Sequence, residues 1–221
     1  MYQGEENALK KQSRSVIIKH MGEKNLYQPL TKEDKITVVL YRTGIVMSSL
    51  IISVIAFIAS SPSYYRNNTS IGLKFSILII LLYASVGMSV FFIHLYISKF
   101  HRFLKKLYYV SLLALALLFF DGRGDILGVL VDKPYGLLLL IPLTGCLGFI
   151  TAKEAFCFKL IEGYLIALTM PLYLAMLAAG GMTMRGASYG LLFIAAMLIL
   201  FTFRKVFMPI HFDIGDKSAY S

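Results

Sequence analysis

The sequence contains no tryptophan, only two cysteines and only six prolines, and 15% of its 221 residues are charged. Soluble domains carry about a quarter charged residues, so this low share, beside 57% hydrophobic residues, excludes a water-soluble globular protein and a disordered chain. Two cysteines are also too few for a disulfide-rich secreted module. Cys146 and Cys157 lie eleven residues apart on one predicted helix, and the rise of about 16 Å between them is too large for a disulfide.

Acidic residues are scarce as well, since twelve of them stand against 22 basic residues and give a net charge of +10. A basic chain can bind nucleic acid, but here the lysines and arginines are interleaved with long apolar runs rather than gathered on one face. We therefore interpret the excess charge as a sign of membrane topology and expect no nucleic-acid partner.

The sequence contains many long apolar runs. Four are long enough to cross about 30 Å of hydrocarbon, and two others become long enough with their flanking residues. The predicted spans are 43–60, 75–97, 107–120, 135–152, 163–181 and 187–203. They predict an all-α fold, a polytopic membrane helical bundle of about six transmembrane helices in a lipid bilayer. We interpret the apolar piece Ile126 to Val131 as the frayed end of the third span rather than a loop that dips back to the membrane.

The start of the bundle has a local signal. Pro29 followed by Thr31-Lys32-Glu33-Asp34 combines a helix breaker with a capping-box pattern, which predicts a helix that begins near Thr31. The first forty residues have no continuous hydrophobic segment typical of a signal peptide, so the first span is expected to direct insertion. We predict a polar basic cytoplasmic tail over 1–30, a six-helix membrane domain over 31–205 and a cytoplasmic C-terminal tail over 206–221.

The distribution of basic residues predicts the orientation. Seventeen of the 22 lysines and arginines fall in segments that lie on one side if the chain crosses six times. Because cytoplasmic segments are enriched in Lys and Arg, this pattern predicts that both termini are inside, N-in and C-in.

Two histidines near the end of the second span are candidate cofactor-binding residues. His94 and His101 are seven residues apart, so a continuous helix would place both rings on one face, about 10 Å apart. That distance is too large for one shared metal ion, but each ring could be an axial haem ligand or a step in a proton path. We favour the plainer interpretation, in which His94 hydrogen-bonds a neighbouring helix and His101 lies among headgroups. No metal site, catalytic residue or cofactor is predicted, and haem is the alternative.

Charged residues at the ends of the spans predict a cluster at the interior boundary. Glu154 and Cys157 share a helix face at the level where the second span also ends, so we expect Glu154 to pair with Arg102 or His101. The ligand spacing is sparser than in metal sites, which favours a structural ion pair beside an inert thiol. The predicted interfacial or ion-pair cluster comprises Arg42, His101, Arg102, Lys153, Glu154 and Cys157.

Four stretches carry a resemblance to a known family. Two are specific, Lys153-Glu154-Ala155-Phe156-Cys157-Phe158 and Asp213-Ile214-Gly215-Asp216-Lys217-Ser218, and two are weaker, Tyr41-Arg42-Thr43-Gly44 and Ile93-His94-Leu95-Tyr96 with His101-Arg102. In these stretches the chain resembles a family of uncharacterised integral membrane proteins, domain of unknown function 2301, best represented in cyanobacteria. The resemblance implies a multi-pass protein of about six helices in a bacterial inner or thylakoid membrane, and it implies no reaction. Its C-terminal motif includes Asp213, Gly215, Asp216 and Lys217.

The expected function is that of a non-enzymatic assembly or interaction factor, whose cytoplasmic face meets a membrane-protein partner or anionic headgroups. This expectation depends on the scarcity of ionisable side chains well inside the spans, where His94 is the only one apart from tyrosines. A small-solute transporter with a path near His94, Pro142 and Pro171 is one alternative, although coupled carriers commonly use intramembrane carboxylates. The other is a haem- or quinone-linked membrane redox protein that uses His94 and His101.

Overall fold

The computed structural model of the chain describes residues 31–60, 71–95, 98–210 and 213. In these residues all regular structure is helical. The helices are α1 Lys32–Ala59, α2 Ile71–Phe92, α3 Ser98–Asp121, α4 Ile126–Asp132, α5 Pro134–Leu138, α6 Ile141–Phe158, α7 Ile161–Ala178 and α8 Met184–Val206. With α5 and α6 forming one span, six helical segments are long and apolar enough to cross a membrane, which confirms the predicted all-α bundle of six spans.

The outer surface of the bundle differs from that of a soluble protein, although the core is mainly apolar in both. Large apolar side chains cover the outside of the bundle, where Phe57 is 72% exposed and Leu113 is 64% exposed. Charged side chains lie inside, since Glu154 and Lys205 are fully buried. An outer surface of this kind is stable against hydrocarbon rather than water.

Helices α1 and α2 approach each other closely because their contact is built from small residues. A Cβ at Gly44 would collide with the Ser89 hydroxyl. That hydroxyl donates to the Tyr41 carbonyl at 3.2 Å, and the Ser48 and Ser85 hydroxyls are hydrogen-bonded at 2.9 Å. Small residues and hydroxyl bonds are the usual means of association between membrane helices. This contact sets the depth of Tyr41 relative to α2.

The start of α1 is capped as predicted. The Thr31 hydroxyl accepts from the Asp34 N–H at 3.2 Å, and the Asp34 carboxylate accepts from the Thr31 N–H at 2.9 Å. This reciprocal pair satisfies two backbone donors that the first helical turn leaves free. The predicted capping box is therefore confirmed.

Two sequence predictions about helix ends are wrong. Helix α2 ends at Phe92, residues 93–95 are not helical, and α3 begins at Ser98. His94 and His101 therefore do not share one helix face. The piece 126–132 is a separate helix rather than a frayed end, because Gly124 turns the chain with a φ of 94° and the Asp125 carboxylate accepts from the Gly128 N–H at 3.2 Å.

Contacts between helix termini define two ends of the bundle. At one end, which we name the basic end, Thr37 contacts His94 and Arg204 pairs with Glu162. At the opposite end, the Ser188 hydroxyl donates to the Ala59 carbonyl at 2.8 Å. The basic end contains the helix termini Lys32, Phe92, Ser98, Phe158, Ile161 and Val206.

Candidate functional site

A buried carboxylate lies near the end of α6, at the basic end. Oε1 of Glu154 accepts a hydrogen bond from the Tyr41 hydroxyl at 2.7 Å and another from Nζ of Lys153 at 2.8 Å. Oε2 forms an ion pair with Lys205. A carboxylate removed from solvent is stable only with such partners, and here they connect α6 with α1 and α8.

Lys205 of α8 is the fully buried cation of this group. Its Nζ forms ion pairs with Oε2 of Glu154 and with Oδ1 of Asp213. It also lies 4.2 Å from the centre of the Phe158 ring, within the range of a cation–π contact. Lys205 thus joins a carboxylate inside the bundle to one in the segment that follows α8.

Arg42 holds that segment against α1. Its Nε donates to Oδ2 of Asp213 at 2.7 Å. The guanidinium also donates to the carbonyls of Val206, Met208 and Pro209, at 3.0, 2.7 and 3.2 Å. The last carbonyls of a helix lack intrahelical donors, so a cation at this position satisfies them and complements the helix dipole.

These residues form one chain of alternating charges, which we name the charge cluster. The order of contacts is Arg42, Asp213, Lys205, Glu154 and Lys153, with Tyr41 bonded to Glu154. Three cations face two carboxylates, so the cluster has one excess positive charge. Each carboxylate contacts two cations.

The predicted partner of Glu154 is wrong. Glu154 bonds to Tyr41, Lys153 and Lys205, and it forms no pair with Arg102 or His101. The reason is tertiary packing, because α1 and α8 supply the side chains nearest to Glu154 while the start of α3 faces a separate cleft. Of the residues predicted from the sequence, the charge cluster contains Arg42, Lys153, Glu154 and Asp213.

Sequence reasoning missed Tyr41 and Lys205. Tyr41 precedes Arg42 in one of the stretches that carry the family resemblance, whereas Lys205 follows the last predicted span, 187–203, and has no other signal in the sequence. Lys205, Glu154 and Asp213 are at most 4% exposed, and they lie at the basic end rather than well inside the predicted spans. Gly215, Asp216 and Lys217 lie outside the described residues, as do the predicted tail 1–30 and residues 61–70.

The cysteines share α6 as predicted and are both free, with Cys146 buried and Cys157 exposed. Cys157 forms no part of the charge cluster. Among the described residues, no group of three or more His, Cys, Asp or Glu side chains is arranged to hold a metal ion.

A cleft of about 400 Å³ opens beside the charge cluster, where α2 ends and α3 begins. It contains both candidate histidines, although the break after Phe92 places them in different elements. Four of its ten lining residues are apolar, and they lie at the end of α2 and just after it. The polar side chains that line it are Thr37, His94, Ser98, His101, Arg102 and Lys105.

His94 makes the predicted contact with a neighbouring helix, because its Nε2 lies 3.4 Å from the Thr37 hydroxyl of α1. Burial lowers the pKa of His94, the positive charge of Lys153 acts in the same direction, and Asp34 and Asp213 oppose it. The ring is therefore neutral near pH 7. The cations of the cleft are Arg102 and Lys105.

The residues of the alternative transport path are not brought together. His94 lies at the basic end, whereas Pro142 lies in the first turn of α6, at the other end of that helix. Pro171 lies inside α7. A path through all three residues would have to run along the bundle rather than through one central site, which is where transporters usually bind their substrates.

Comparison with known families identifies the chain. Residues 88–221 match the family described as uncharacterized integral membrane protein (DUF2301). The match includes three of the four stretches named above and begins after the remaining one, Tyr41-Arg42-Thr43-Gly44. Comparisons with curated proteins and with solved structures give no match. Because the match covers more than half of the chain, the protein belongs to the DUF2301 family of integral membrane proteins.

Proposed function

We propose that this integral membrane protein is a non-enzymatic assembly or interaction factor that presents its basic end to a membrane-protein partner. One observation carries the proposal. The buried charges are bonded to one another and hold the segment after α8 at Asp213, which is 4% exposed and contacts both Arg42 and Lys205. Each charged side chain of the cluster is bonded to another one. The cluster therefore stabilises the structure of the basic end rather than supplying a reactive group.

Exposed aromatic residues lie at the same end of the bundle as this anchored segment. Phe207 follows α8 and is 73% exposed, and Phe156 near the end of α6 is 80% exposed. Aromatic side chains are enriched in the cores of protein interfaces. Together with the anchored segment, they form a surface suited to a partner in the same membrane. The family resemblance favours a bacterial inner or thylakoid membrane, and the basic residues favour a cytoplasmic location for both termini.

Site-specific photocrosslinking in the native host tests the proposal. A photoreactive phenylalanine analogue at Phe207 is expected to give a discrete protein adduct, because this position lies at the surface offered to the partner. Phe120 at the opposite end is the matched control, since it is also a phenylalanine and is 79% exposed.

The identity of the adduct decides the outcome. The same adduct from Phe156 and Phe207, absent from Phe120, would support a partner at the basic end. Identical adducts from both ends would show only crowding in the membrane, and no adduct from the basic end would contradict the proposal.

A further inference from the structure

We propose that the cleft between the end of α2 and the start of α3 binds a phosphate group, and that its lining fits the headgroup of an anionic phospholipid. The proposal does not depend on the partner proposed above, because the cleft residues are not part of the charge cluster. The site is defined by His94, His101, Arg102 and Lys105.

Arg102 supplies the main donor. It is exposed at the cleft and makes no hydrogen bond or ion pair with any residue that the structure describes. A guanidinium offers five N–H donors in a planar fork that matches two oxygens of one phosphate. Lys105 adds a second cation, with its Nζ 5.7 Å from the centre of the Phe91 ring.

The imidazoles supply a second, independent observation. Nδ1 of His94 and Nε2 of His101 are buried atoms that have no hydrogen-bond partner among the described residues. Buried polar atoms are almost always paired, so two unpaired ring nitrogens in one cleft indicate a missing partner. The negative charge of a phosphate favours the protonated form of both imidazoles, in which these two nitrogens donate to its oxygens. Ser98 begins α3 beside them, and the free N–H groups of a first helical turn favour an anion.

The nearest carboxylates are already engaged. Asp213 contacts Arg42 and Lys205, and Asp34 accepts from the Thr31 N–H in the capping box. They therefore leave the positive charge of Arg102 and Lys105 available to a ligand.

The apolar part of the cleft favours a lipid over a soluble phosphate. Phe91 is 40% exposed, which leaves an apolar surface next to the basic side chains. A headgroup bound by Arg102 would place its acyl chains against this surface. The apolar lining consists of Phe91, Phe92, Ile93 and Leu95.

The absence of tryptophan makes a fluorescence test direct. In Phe91→Trp, the single indole reports on the cleft of the full-length protein in phosphatidylcholine vesicles. Brominated phosphatidylglycerol is expected to quench it more than brominated phosphatidylcholine at the same mole fraction. Phe120→Trp at the opposite end is expected to show no such preference.

Charge variants in the Phe91→Trp background identify the donor. Arg102→Gln is expected to weaken the preference for phosphatidylglycerol about tenfold, because it removes charge-assisted hydrogen bonds. Lys106→Gln is the matched control, since Lys106 is an exposed lysine of α3 that does not line the cleft. It is expected to change the preference less than about threefold, as a general surface charge does.

Inorganic phosphate distinguishes the source of the ligand. If phosphate alone changes the indole emission and abolishes the lipid preference, the site binds phosphate from solution as well. If neither phosphatidylglycerol nor phosphate has an effect, or if Arg102→Gln and Lys106→Gln behave alike, the proposal is overturned. A haem absorption band in the purified protein that disappears in His94→Gln would also overturn it and assign the imidazoles to haem.

Discussion

A tyrosine hydroxyl donates to a carboxylate at 2.7 Å at both ends of the bundle, from Tyr41 to Glu154 at the basic end and from Tyr135 to Asp121 at the opposite end. Lysines complete both groups, and Lys133 pairs with Asp121 at 2.7 Å. The two groups differ in burial, because the Glu154 side chain is fully buried and the Asp121 side chain is 36% exposed. Tyrosine and lysine donors at similar distances therefore contribute differently to stability at the two ends.

Burial and sequence separation together explain the difference. An exposed ion pair adds little stability because water solvates both charges. Breaking a buried pair is costly because it leaves a charge without solvent or partner. Tyr135 and Asp121 are 14 residues apart, whereas Tyr41 and Glu154 are 113 apart and Arg42 and Asp213 are 171 apart. The group at the basic end therefore connects distant parts of the chain, whereas the group around Asp121 closes a local turn.

The largest expected effect is that of Glu154→Gln. This change leaves three cations of the charge cluster facing one carboxylate, so it should lower the free energy of unfolding by about 3 kcal/mol. Unfolding of the purified protein, followed by circular dichroism during titration from a mild detergent into a denaturing one, measures it. Lys205→Met should cost less, although Lys205 makes two ion pairs, because it leaves two cations facing two carboxylates.

The double variant separates charge balance from lost contacts. Glu154→Gln with Lys205→Met removes one charge of each sign, so it should be more stable than Glu154→Gln alone by about 1 kcal/mol or more. Additive losses in the double variant would show that contacts rather than charge balance stabilise the cluster.

Local features of the fold were predictable from the sequence, and the pairing at the basic end was not. The capping box at Thr31 and the six spans depend on neighbouring residues and on run length, which the sequence displays directly. The partner of Glu154 depends on which helices pack around α6. Arg102 and Lys205 both lie at the basic end of their helices. Although α3 packs against α6, it is α8, packed against α1 and α7, that places Lys205 on Glu154.

The end of α2 at Phe92 was also not predictable from the sequence. Residues 92–98 contain no proline or glycine, so the apolar pattern predicts that the helix continues. His94 and His101 do not share a helix face as predicted, but both line the cleft. The two histidines come together because the chain reverses direction between α2 and α3. No local residue pattern predicts this reversal.

A pair of hydroxyl deletions compares the two ends with the smallest chemical change. Tyr41→Phe should lower the free energy of unfolding by about 2 kcal/mol, because it removes a hydrogen bond to a buried charge. Tyr135→Phe removes a bond of the same length at an exposed carboxylate and should leave stability unchanged within error. The same detergent titration measures both variants, and equal losses would contradict the role assigned to burial.

The smallest expected effect is that of Lys133→Met at the opposite end. The hydrogen bond to Asp121 raises the pKa of Lys133, so its contribution to stability is present below the ordinary lysine pKa and is lost as the pH rises through the raised value. The difference from the wild type should therefore be small and constant through neutral pH, and it should shrink as salt is added, because exposed charges are screened. Unfolding titrations at low and high salt, at neutral and strongly alkaline pH, measure it. A loss as large as that of Glu154→Gln, insensitive to salt, would show that the opposite end is covered in the membrane and would remove the contrast between the two ends.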